Sequence, residues 1–115
     1  MFVVTVIVSV VLALAALGSA AAKLTENPKI VTTLGGLGVP MAWLPKLAAA
    51  EIAGAVGLLI GLAVPAIGIA AAAGLVGYFV GAVITHLKAN DHEIVPPAVL
   101  GLVAVAAMVL RIATM

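Results

Sequence analysis

LAAAEIAGAVGLLIGLAVPAIGIAAAAGLVGYFVGAVITHL, residues 47–87, carries a single charged side chain, Glu51, in a run that as one helix would extend about 60 Å, twice the thickness of a bilayer's hydrocarbon core. The run must therefore fold back on itself. Pro65, with Gly61 before it and Gly68 after it, is the natural turn, because proline and glycine punctuate helices and the residue before a proline avoids the helical region. The sequence thus predicts one span over roughly 47–64 and another over roughly 66–87, paired as an antiparallel hairpin.

The flanks extend the same pattern. Phe2 to Ala22 supplies 21 uncharged residues, enough to cross the core, and Lys23 closes the run. Its small residues at 18–22 resemble a signal-peptide cleavage site, but no basic segment precedes the apolar run, so it is read as a span. Asn27 can cap a new helix with Pro28 in its first turn, and the short segment from Pro28 to Leu34 ends at two glycines. Gly35 to Pro45, rich in glycine and proline, reads as an interfacial connector held at headgroup level by Trp43 and Lys46. After a polar loop at 88–93, Pro96 and Pro97 open a final span over roughly 95–112, short enough that Arg111 is expected to snorkel to the interface. The expected fold is all-α. It is a four-helix transmembrane bundle forming a single membrane domain, with a short interfacial helix or connector between its first two helices.

Composition excludes several function classes. The 115 residues are 66% hydrophobic and 8% charged, whereas soluble domains have about 25% charged residues. With a net charge of +1 and 3% aromatic residues, nothing is available to bind a nucleic-acid backbone or stack its bases. The absence of cysteine removes disulfides, thiol nucleophiles and zinc–thiolate sites. Four antiparallel spans would place Lys23, Lys29, Lys46 and Lys88 at one membrane face and Arg111 with the termini at the other. By the positive-inside rule the charged loops are then cytoplasmic and both termini outside, in a multi-pass protein of the cell membrane.

Two glycine patterns mark the hairpin. Gly54, Gly57 and Gly61 in the second span and Gly74, Gly77 and Gly81 in the third share the spacing GxxGxxxG, which lets helix backbones approach closely. These glycines are expected to pack helices. The polar residues are fewer. A carboxylate within a span costs on the order of 2.5 to 3.5 kcal/mol by insertion scales, so Glu51 should face the bundle interior and find a partner. Lys23, leaving the first span, and His86, near the end of the third, are expected at its level, with Tyr78 about 12 Å deeper on its helix than His86. Tyr78, Gly81 and Thr85 share one arc of the third span, so Tyr78, Thr85 and His86 could line a pocket with Lys23 and Glu51.

Plainer readings stand beside this one. Lys23 and Glu51 can form an ion pair that only fixes helix register; Tyr78 can be a packing residue; His86 can be a helix-terminal histidine and His92 loop surface. No metal-ligand spacing, nucleophile elbow, phosphate loop, dinucleotide fingerprint or haem-attachment motif occurs, so neither a metal site nor catalytic residues are assigned.

Lys23 at the close of the first span, LGGLGVP at 34–40, EIAGAVGLLIG at 51–61 and GAVITHL at 81–87 together resemble the DoxX-like family of small membrane proteins. The resemblance implies a four-helix transmembrane bundle of the type named for the small subunit of a thiosulfate:quinone oxidoreductase, with Lys23, Glu51 and His86 as its characteristic polar positions. It also implies a membrane redox complex as partner. The lipid bilayer and, as an open alternative, a second copy of the chain are expected beside it. The role expected is a non-catalytic accessory subunit or a bundle that binds a quinone- or lipid-like molecule around Glu51. A proton-coupled transporter, suggested by the intramembrane glutamate, and a membrane assembly factor, suggested by the glycine faces, are the alternatives.

Overall fold

A computed structural model of the chain describes residues 1–25, 32, 35–36, 38, 41–89 and 94–115. The expected cap at Asn27, the segment 28–34 apart from residue 32, Lys29 within it, and the loop residues 90–93 with His92 lie outside the described residues. Among the described residues there are four α-helices, α1 (Phe2–Leu24), α2 (Leu44–Ile60), α3 (Pro65–Lys88) and α4 (Val95–Ala113), and one short 3-10 turn, Met41–Trp43, before α2. The fold is an all-α bundle. α1, α3 and α4 are each long and apolar enough to cross a membrane.

Proline sets three of the four starts. Pro45, Pro65 and Pro96 each occupy the first turn of a helix, where the missing N–H would have had no partner and the fixed φ suits the helix. This is why α2 begins three residues before the expected boundary at 47: Pro45 opens the helix instead of ending the connector. It is also why the hairpin turns at Gly61–Val64. There Leu62 and Ala63 donate to the carbonyls three residues back, Leu59 and Ile60, at 3.2 and 3.0 Å, tightening the chain. Val64, directly before Pro65, is extended. On the other side of α2, Lys46 lies over the Trp43 ring, its Nζ 5.0 Å from the centroid.

Each helix packs on its neighbour in sequence, and α1 packs on α4 to close the ring. The interior is small. Leu12, Ala13 and Ala16 of α1 meet Ala55 and Leu58 of α2, Ala72, Leu75 and Phe79 of α3, and Ala104 and Ala107 of α4. Large apolar side chains such as Ile7, Leu14, Val80, Ile84, Leu102 and Val109 point outward instead. Lipid solvates those chains as well as a protein core would, so helix association depends on close approach of small residues.

Glycine makes the closest approach. A Cβ on Gly54 would meet Leu75, one on Gly57 would meet Ala71 at 2.7 Å, and one on Gly61 would run into the backbone of Gly68. Gly74, Gly77 and Gly81 correct the sequence reading: they are exposed, and a Cβ on any of them would meet nothing within 4 Å. Both helices share the spacing, but α3 keeps its copy out of direct contact with α2 and presents Gly68, Ala71 and Leu75 in its place.

Candidate functional site

The contacts along the hairpin fix its register. Moving from the turn, Gly61 faces Gly68, Gly57 faces Ala71 and Gly54 faces Leu75. The next step of three residues on each helix brings Glu51 level with Tyr78. His86 lies eight residues further along α3, about 12 Å nearer the end of the bundle. The expected levels are thus reversed: Tyr78, not His86, shares the level of the carboxylate. Matching helix ends placed Glu51 too close to the interface, because α2 begins at Leu44 and carries Glu51 two turns into the bundle.

Glu51 is fully buried, and its Oε1 accepts a hydrogen bond from Lys23 Nζ at 2.7 Å. Lys23 is itself 8% exposed and donates a second bond, at 2.8 Å, to Ser19 Oγ one turn earlier on α1. Helical periodicity puts Ser19 and Lys23 on one face, so the lysine arrives at α2 already oriented. Desolvating two charges is costly, and a short, hydrogen-bonded contact is the geometry that offsets that cost. The other carboxylate oxygen, Oε2, is buried and accepts no hydrogen bond among the described residues. The Tyr78 hydroxyl lies within electrostatic reach of the carboxylate, and its ring packs edge-on against Phe79 with centroids 5.2 Å apart.

Thr85 and His86 lie outside this group in register. Thr85 Oγ1 donates to its own helix at the Gly81 carbonyl, 2.9 Å away, a local bond that leaves no hydroxyl proton for a ligand. His86 is half-buried near the end of α3 and is engaged in an interaction there.

Tyr78 joins the carboxylate to the outside of the bundle. It closes one end of an open groove of about 470 Å³ between α2 and α3, walled by residues such as Ala53, Gly57, Ala70 and Gly74. Apart from the tyrosine hydroxyl, the lining residues are apolar. The groove exists because α3's exposed glycine and alanines leave space where larger side chains would have filled the seam.

A second polar group, which the sequence reading missed, lies at the other end. Arg111 is only 6% exposed and does not snorkel; its Nε donates to the Gly61 carbonyl at 2.8 Å and its Nη1 to Thr114 Oγ1 at 3.0 Å. Thr114 Oγ1 also lies 3.4 Å from Thr5 Oγ1, and the guanidinium carbon sits 5.5 Å from the centroid of the Phe2 ring. The signal available was the spacing of Thr5 and Ser9 within a valine run and of Arg111 and Thr114 near the close of α4, each pair on one helical face.

No curated protein and no solved structure matches the chain. A family model, that of the DoxX-like family, matches residues 7–108. That match takes in the helices that carry both halves of the Lys23–Glu51 pair, and with it the chain is identified as a membrane protein belonging to the DoxX-like family.

Proposed function

We propose that the chain is a non-catalytic accessory bundle whose α2–α3 groove holds one amphipathic molecule, a quinone or a lipid, with its tail along the small-residue wall and its polar head beside Tyr78 and Glu51. One observation carries this reading: a fully buried carboxylate with an oxygen left over stands at the level of the tyrosine that closes an apolar groove. A buried ion pair adds little stability over apolar residues of the same volume, so stability alone does not account for the pair. An oxygen that only accepts favours a head carrying a hydroxyl or amide donor, such as a lipid head or the reduced quinol form, whereas a quinone carbonyl would accept from the Tyr78 hydroxyl. The chain crosses the membrane four times in this reading, with α2, whose 17 residues lie at the short end of the spanning range, as the remaining span.

The test is extraction into polymer-bounded native discs followed by mass spectrometry of the bound molecules. Wild type is expected to hold one such molecule per chain above the bulk-lipid background. Gly74→Leu fills the groove without meeting any neighbour within 4 Å of its Cβ, so it should empty the site while leaving the bundle folded. Tyr78→Phe removes one hydrogen bond of about 1 kcal/mol, a loss of about fivefold in occupancy at limiting ligand. Retention unchanged in Gly74→Leu would remove the groove from consideration.

Orientation belongs to the same proposal. Lys23, Lys46 and Lys88 follow or flank the helix ends away from the termini, and by the positive-inside rule this supports a cytoplasmic location for that end. The chain has no cysteine, so single replacements report cleanly. Met115→Cys should react with an impermeant maleimide on intact cells and Ala89→Cys only after permeabilisation; the opposite labelling would invert the topology.

A further inference from the structure

Arg111 is a buried cation that makes no salt bridge among the described residues, the Met115 carboxylate four residues on included. Glu51 of α2 is the carboxylate side chain among the described residues; it is bonded to Lys23 of α1 and lies ten residues, about 15 Å of helix, from Gly61, where Arg111 is held. The remaining acids of the sequence, Glu26, Asp91 and Glu93, follow the C-terminal end of α1 or precede the N-terminal end of α4, whereas Arg111 is in the last turn of α4. The Gly61 carbonyl and the Thr114 hydroxyl accept two of its five N–H donors, but both acceptors are neutral. An unneutralised charge within an apolar bundle is expensive, and an anion is the group that would offset it.

The surroundings select the anion. Three N–H donors remain, at least two of them on Nη2, which makes no hydrogen bond among the described residues. The bond to Gly61 and the Phe2 ring fix the guanidinium plane, so the fork is oriented before anything binds. Planar, paired donors suit the oxygens of a phosphate. Arg111 also lies within three residues of the helix end, the depth at which a bilayer carries its headgroup phosphates.

We propose that Arg111 anchors a site for a single phosphate group at the end of the bundle that holds the chain termini, presented by a phospholipid headgroup or by free phosphate. This site is separate from the α2–α3 groove, and the two stand or fall independently.

The experiment uses the full chain in maltoside detergent and reads bound adducts by native mass spectrometry. Three probes are compared: phosphatidylglycerol, diacylglycerol with the same chains, and inorganic phosphate. Phosphatidylglycerol is expected to bind one to one and at least about tenfold more tightly than diacylglycerol, with that preference lost in Arg111→Gln and kept in Lys88→Gln. Displacement of the lipid by millimolar inorganic phosphate assigns the site to the free anion; persistence of the lipid assigns it to the headgroup. If neither phosphate probe binds more tightly than diacylglycerol, or if Arg111→Gln binds the preferred probe as wild type does, the proposal is overturned. Should Arg111→Gln fail to fold, the comparison of the probes on wild type alone still decides.

Discussion

Replacing Lys23 by methionine while Glu51 stays is expected to cost about 3 to 5 kcal/mol of bundle stability, the range found when one partner of a buried ion pair is removed. The reason is asymmetry. Glu51 is fully buried, its Oε1 depends on Lys23 Nζ at 2.7 Å, and its Oε2 accepts no hydrogen bond among the described residues. Without the lysine the carboxylate keeps its desolvation cost and loses the bond that offsets it. Glu51→Met should be as harmful, because among the described residues it leaves the ammonium with Ser19 Oγ alone as acceptor.

The double variant, Lys23→Met with Glu51→Met, should return close to wild-type stability, since apolar side chains in place of a buried pair are often neutral or better. The cycle would then show a coupling of several kcal/mol between residues on different helices. Reversible unfolding in mixed detergent, followed by circular dichroism, measures all four chains. Interhelical hydrogen bonds in membrane proteins average about 0.6 kcal/mol, so a coupling of that size would mean that the pair is not desolvated. A restored double variant that no longer retains a bound molecule would separate the two uses of the pair: dispensable for folding, needed for the site.

How far the sequence discloses this arrangement differs from residue to residue. The hairpin is legible because Pro65 interrupts an apolar run too long for one crossing, and the Lys23–Glu51 partnership because a carboxylate in a span has few cations to choose from. Levels within the hairpin are harder to read, since an offset of three residues at the start of α2 is nearly a full helical turn. Counting from Pro65 outward places Tyr78 opposite Glu51; counting from the helix ends places His86 there. The glycine patterns give spacing and not direction, so Gly54, Gly57 and Gly61 could not be told from the outward-facing Gly74, Gly77 and Gly81. Arg111 was hidden for another reason. Its main partner is the carbonyl of Gly61, and a backbone acceptor leaves no mark in the sequence.

Adding a single methyl group at Gly61 is expected to cost about 3 kcal/mol or more, at or above the upper end for overpacking, whereas Gly77→Ala should be neutral or stabilising by up to about 1 kcal/mol. Side chains can swing aside, but at Gly61 the new Cβ meets the Cα and N of Gly68, so α2 and α3 must separate as rigid helices. Gly68→Ala should lie between the two, because its Cβ would meet the Gly61 backbone less severely, at 3.0 Å from the Cα. At Gly77 a Cβ finds open space, and only the helix preference of alanine over glycine remains. The same unfolding measurement ranks the three. Equal stability of Gly61→Ala and Gly77→Ala would mean that the helices do not approach at this point. Separation there has a further consequence, because the Gly61–Gly68 contact anchors the register that brings Glu51 level with Tyr78, and the Gly61 carbonyl orients Arg111. Gly61→Ala should therefore weaken both ligand retention at the groove and phosphate binding at Arg111, although its own side-chain position contacts neither ligand.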